Sequence, residues 1–128
     1  MIDEETLKEI NRRQIEEARL FENYVKYGQE KDFVKASEFL WGSITNLAYA
    51  IGLTYGKKLT SHREVILFLR EVVGKEYKTH INSAEALHAN FYHGWMDEEV
   101  FMESVRKVED LRMHLKDLLK SRLQKIIS

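Results

Sequence analysis

The chain has 128 residues, 20 basic and 21 acidic side chains, a formal charge of −1 and no cysteine. That length suits one domain, which buries roughly two-thirds of its unfolded surface. The missing cysteines exclude disulfides, thiolate metal sites and a cysteine nucleophile, and the balanced charge singles out no class of partner. The N-terminal run MIDEETLKEINRRQ is acidic and polar where a signal peptide is basic and then apolar. No apolar run approaches the roughly 20 residues needed to cross a bilayer, so no membrane association and a cytoplasmic location are expected. Proline is also absent, and a chain without this helix breaker favours long uninterrupted helices. The expected fold is all-α: an up-and-down bundle of about five helices forming a single domain over residues 1–128.

Gly28, Gly56, Gly74 and Gly94 each follow an amphipathic run, where a left-handed residue ends a helix. The first predicted helix runs from about Glu4 to Tyr27, with Leu7, Ile10, Ala18, Phe21 and Val25 facing the core and Gln14 interrupting. The second, from about Lys31 to Tyr55, is apolar around most of its circumference and is expected at the centre. Its Gly42 and Gly52 each cost about 1 kcal/mol of helix propensity relative to alanine, which suggests that a neighbouring helix packs close at those points. Ser61 to Glu64 reads as a capping box opening the third helix, whose buried face is Val65, Phe68, Leu69 and Val72. The fourth, about Lys75 to His93, carries a predicted buried stripe of Tyr77, Ile81, Ala84, His88, Phe91 and Trp95. The fifth starts at Asp97, an N-cap followed by Glu98 and Glu99 in the first turn. Its stripe, Val100 to Ile126, is about seven turns long, more than the third helix can cover. A homodimer through this C-terminal helix is therefore expected.

Chemistry concentrates in Ala84–Gly94, AEALHANFYHG, which holds one charged residue, Glu85, and two of the five histidines. Glu85 and His88 have the i, i+3 spacing by which carboxylate-bridged bundles hold metal, but no second such pair accompanies them. His88 reads instead as a core histidine bonded to a polar neighbour, with Tyr92 one turn away and within reach. His62 and Arg63 occupy the first turn of the third helix, where free amides and two basic side chains suit a phosphate or carboxylate. His88, Tyr92, His62 and Arg63 are thus the candidate ligand-binding residues. His93 reads as a dipole-complementing residue at a helix end, and His114 as an exposed partner of Asp110. Residues Arg106–Lys125 carry seven basic and three acidic side chains, enough for contact with a nucleic acid backbone but also expected from the helix dipole. No nucleophile elbow, phosphate loop, zinc-protease or dinucleotide fingerprint is present, so no catalytic residue, cofactor or metal is assigned.

Three segments, SEFLWGSITNLAYAIG, LTSHREV and AEALHANFYHGWMDEEV, resemble in order the archaeal PaREP family of small helical proteins in the HEPN superfamily. The likeness spans roughly residues 30–115, with LHANFY at Leu87–Tyr92 its most specific string. It implies a HEPN-type bundle of four or five helices, frequently dimeric. That superfamily includes ribonucleases, partners of minimal nucleotidyltransferases in toxin and antitoxin pairs, and inactive binding modules. Its ribonucleases carry an arginine, four to six residues, then a histidine. Here the nearest pair, Arg106 and His114, has seven between, and the eight-residue step turns them about 80° apart. The resemblance therefore implies a non-enzymatic module that binds a protein partner, a nucleotide or a nucleic acid. A divergent ribonuclease using His88 and a metal-dependent enzyme using Glu85 and His88 are the alternatives.

Overall fold

A computed structural model of the chain describes residues 2–127, which form five α-helices, one 3₁₀ turn and no strand. The helices are α1 Glu4–Gln29, α2 Phe33–Thr54, α3 His62–Val73, α4 Lys78–His93 and α5 Glu98–Ile127; Lys75–Tyr77 is the 3₁₀ turn leading into α4. This is an all-α bundle, and none of its helices is long and apolar enough to cross a membrane.

The near-complete apolarity of α2 puts it at the centre. Ala36, Leu40, Ile44, Ala48 and Ile51 are sealed, and α1, α4 and α5 pack around it. Contacts along the helices fix their directions. Glu17 meets Ser43 and Arg13 meets Asn46, so α1 runs antiparallel to α2. Asn90 meets Ser37, so α4 is antiparallel to α2 as well. Phe33 packs on Phe101 at one end while Arg122 reaches Thr54 at the other, so α5 runs parallel to α2. The Arg122 guanidinium donates to the Thr54 carbonyl at 2.8 Å, satisfying an acceptor that the end of α2 leaves without a helical partner.

Local chemistry sets most helix ends. Asp3, Asp32, Ser61 and Asp97 accept from amides in the first turns of α1, α2, α3 and α5. Gly94 takes the left-handed conformation after α4 (φ 57°), as expected. Gly28 does not: α1 continues through it to Gln29, and Lys31 is the residue with positive φ. In the capping box, Ser61 accepts from Glu64, but the Glu64 carboxylate reaches one residue further, to the amide and hydroxyl of Thr60. Those bonds hold its pKa below the usual glutamate value.

Two predicted faces turn. On α1 the buried residues are Ile10, Glu17 and Tyr24, while Ala18 and Val25 are exposed. Glu17 is tolerated inside because Arg112 of α5 donates to it at 2.5 Å and Ser43 donates at 2.5 Å. On α4 the buried residues are Ile81, Ala84, Leu87 and Asn90, so His88 lies on the shoulder of the face, and Phe91 and Trp95 are exposed. Both interior glycines do meet a close neighbour. A Cβ on Gly42 would stand 3.1 Å from Leu20 of α1, whereas one on Gly52 would meet the Lys57 carbonyl at 3.0 Å, so the second close approach is by a loop and not a helix.

Candidate functional site

Burial of Trp41 on α2 builds the floor of a polar edge where α2, α3 and α4 meet. Its indole is almost covered, and the His62 and His88 rings cover it, with centroids 5.1 and 5.0 Å away. The two imidazoles stand 5.2 Å apart with 25° between their planes. His62 arrives on the first turn of α3, which Ser61 caps, and His88 on the third turn of α4. Tyr92, one turn beyond His88, sets its ring edge-on to that imidazole at 5.1 Å, the contact its spacing allows.

Each imidazole faces a carboxylate from a different helix. Glu38 of α2 lies 3.3 Å from His88 Nδ1, and Glu85 of α4 lies 3.7 Å from His62 Nε2. The other oxygen of Glu85 is 3.7 Å from the Arg70 guanidinium. Burial pushes the Glu38 carboxyl above the usual glutamate range, against the opposing pull of His88. His88 is a quarter exposed and its Nε2 is not among the buried unpaired nitrogens, so that atom faces water. His88 is therefore in the wall of an open polar edge, not sealed in the core.

Arg63, exposed on the first turn of α3, continues this edge into a shallow groove of about 310 Å³ that it lines together with His62, Ile66, Leu67, Arg70 and Glu85. All four sequence-predicted residues, His62, Arg63, His88 and Tyr92, thus lie on one contiguous side of the molecule. The arrangement offers two ring faces, two guanidinium groups and an unpaired imidazole nitrogen. Such a set suits a ligand that carries both a flat ring and an anionic group.

Glu85 and His88 do not act as a pair, because Glu85 turns to His62 and Arg70 while His88 turns to Glu38. Among the described residues, no group of three or more His, Asp or Glu side chains comes together as a metal site would require. His114 does not pair with Asp110 either. Asp110 bonds to His80 at 3.0 Å, and His114 stacks on Tyr77 at 4.3 Å. Sequence reasoning missed Glu38, Trp41 and Arg70. Glu38 carries a usable signal: it is the single charged residue between Lys35 and Lys57, as Glu85 is within its own apolar stretch.

A small α-helical bundle with a ring-lined, arginine-flanked edge is the class that this fold and edge define. The profile of the archaeal PaREP1/PaREP8 family matches residues 11–112, and the chain belongs to that family. The matched span runs from within α1 to the middle of α5 and contains every residue of the edge. Among curated proteins, none matches the chain.

Proposed function

We propose that this protein is a non-enzymatic binding module of HEPN type whose ligand, a nucleotide or a single-stranded RNA segment, docks on the His62–His88 edge. The observation that carries this reading is the convergence of His62 and His88 over Trp41 with Arg63 alongside. A base finds ring faces, and a phosphate finds Arg63 and the first-turn amides of α3. The resemblance of the three segments supports a module linked to a toxin and antitoxin or nucleotide-binding system, and the long apolar stripe of α5 supports self-association through that helix.

Tryptophan fluorescence tests the ligand. In a Trp95→Phe background the signal comes from Trp41 alone, beneath both imidazoles. Titration with uridine monophosphate and with a short single-stranded RNA is expected to give saturable quenching that Arg63→Ala weakens several-fold. An unresponsive signal with both probes would sink the reading.

A second reading, a divergent ribonuclease using His88, draws on one specific feature: two imidazoles, each facing a carboxylate, beside Arg63 and Arg70. In that reading His88 Nε2 takes the proton of the attacking 2′-hydroxyl, His62 protonates the leaving 5′-oxygen, and the arginines balance charge on the phosphate. Mixed RNA incubated with the purified protein and with His88→Ala decides it. Equal background cleavage by both removes the enzyme and leaves the binding module.

A further inference from the structure

Tyr92 belongs to the His62–His88 edge by contact but not by plane. The rings of Trp41, His62 and His88 lie within 33° of one another, so the two imidazoles form one shelf over the indole. Tyr92 stands at 87° to His88, with the ring centroids 5.1 Å apart. A base has a single plane and cannot lie flat on both surfaces. Filling both therefore takes two bases, turned about a right angle from each other.

The tyrosine ring is 67% exposed, and its hydroxyl has no hydrogen-bond partner among the described residues. Phe91 crosses it at 77° with centroids 5.2 Å apart, so two neighbours brace a ring that water still reaches. Four aromatic side chains are exposed among the described residues, and three of them, Phe91, Tyr92 and Trp95, fall at the end of α4. The fourth, Tyr55, already has the Arg122 guanidinium on its face at 3.7 Å. Unshared aromatic surface is thus concentrated beside the edge.

Glu85, His88 and Tyr92 follow one another at i, i+3 and i+7, along one side of α4. Arg70 approaches this row at Glu85, and Arg63 lines the same groove. Seven residues of helix, about 10 Å, separate Glu85 from Tyr92. Cations therefore mark one end of the row and a free tyrosine face the other, with the imidazole shelf between. A phosphate followed by two bases is the order of groups in a 5′-phosphorylated dinucleotide. Stacked strands hold successive bases parallel, so two surfaces at a right angle require the step to be open. Adjacent adenines stack on each other more strongly than adjacent uridines, and opening their step costs more.

We infer that Tyr92 is a second base-stacking position and that the edge selects an unstacked pyrimidine step of single-stranded RNA, its two bases splayed between the imidazole shelf and the tyrosine ring. The inference rests on the binding reading above and adds to it a ligand length and a base preference. Calorimetric titration of the full chain with UMP, AMP, 5′-phosphorylated diuridylate and 5′-phosphorylated diadenylate tests it. Diuridylate is expected to bind about tenfold more tightly than UMP, the effect of one more base on an aromatic face, and diadenylate to gain less over AMP. Tyr92→Ala, shown to be folded by circular dichroism, is expected to erase the diuridylate gain, and Tyr92→Phe to keep it. Diuridylate no tighter than UMP, or a gain that survives Tyr92→Ala, would overturn the second stacking position and leave the binding reading standing. A diadenylate gain equal to or above that of diuridylate would overturn the unstacked step. No saturable binding of any of the four would overturn the binding reading and this inference with it.

Discussion

Glu17 on α1 and Glu38 on α2 each meet a base on another helix, and the two pairs differ in everything around them. The Glu17 carboxylate is 3% exposed, receives Arg112 through two nitrogens and Ser43 through its hydroxyl, and lies beneath a guanidinium stacked on Phe21 at 3.6 Å. Every polar atom of that acid is used. Glu38 is about one-third exposed, meets one imidazole nitrogen at 3.3 Å, and leaves the other nitrogen of that imidazole to water. A closed pair of this kind joins helices, whereas an open pair retains unused hydrogen-bonding capacity that a ligand can take up. Composition alone does not separate them; completeness of partnering does.

The sharpest way to break the closed side is Arg112→Met. Glu17 would stay buried with Ser43 as its one donor, and a loss of about 3–5 kcal/mol is expected in urea unfolding. Replacing Glu17 by methionine as well should recover most of that loss, since removing both charges ends the desolvation penalty. If Arg112→Met alone were neutral, the description of a closed structural pair would be wrong.

Asn90 is the second closed node. Its amide donates to Ser37 at 3.0 Å and its oxygen accepts from the Met96 amide at 2.9 Å, tying the α4–α5 turn to α2. Asn90→Ala leaves the buried Met96 amide without its acceptor, while the Ser37 hydroxyl keeps its bond to the Phe33 carbonyl, so about 1–3 kcal/mol of stability should disappear in the same assay.

The open side should behave oppositely. Because burial raises the Glu38 pKa, the stability associated with this group is present below the ordinary glutamate value and is lost as pH rises through the raised one. At neutral pH its charged form is therefore a cost. Glu38→Gln is expected to leave the thermal midpoint unchanged or raise it by less than about 1 kcal/mol equivalent at pH 7, with the gain vanishing below about pH 4. A marked drop at pH 7 would show that Glu38 is structural, like Glu17.

Much of the fold was legible from the sequence because caps and glycines act locally. Ser61, Asp97 and Gly94 each mark a helix end that the structure reproduces. The rotation of α4 was not legible. Its buried face includes Asn90, a polar residue that belongs inside once Ser37 and Met96 are known to meet it, and those partners are 53 and 6 residues away in sequence. Extending the stripe to Trp95 also ran past Gly94, where the helical phase ends. Beyond Ala84 the expected stripe follows His88 and Phe91, whereas the buried one follows Leu87 and Asn90, one residue earlier. The same long-range dependence hid Glu38 and Arg70, whose roles arise only where α2, α3 and α4 meet. Tyr92 beside His88 was readable, being a one-turn relation within a single helix.

The five histidines allow the central claim to be tested within one sample, since His62 and His88 line the open edge while His80, His93 and His114 lie outside it. Imidazole ring resonances should be followed by NMR as a short single-stranded RNA is added at neutral pH. The His62 and His88 signals are expected to move together and saturate while the other three stay fixed. Stationary His62 and His88 signals, or saturable shifts confined to His80, His93 or His114, would contradict the assignment of ligand binding to this edge.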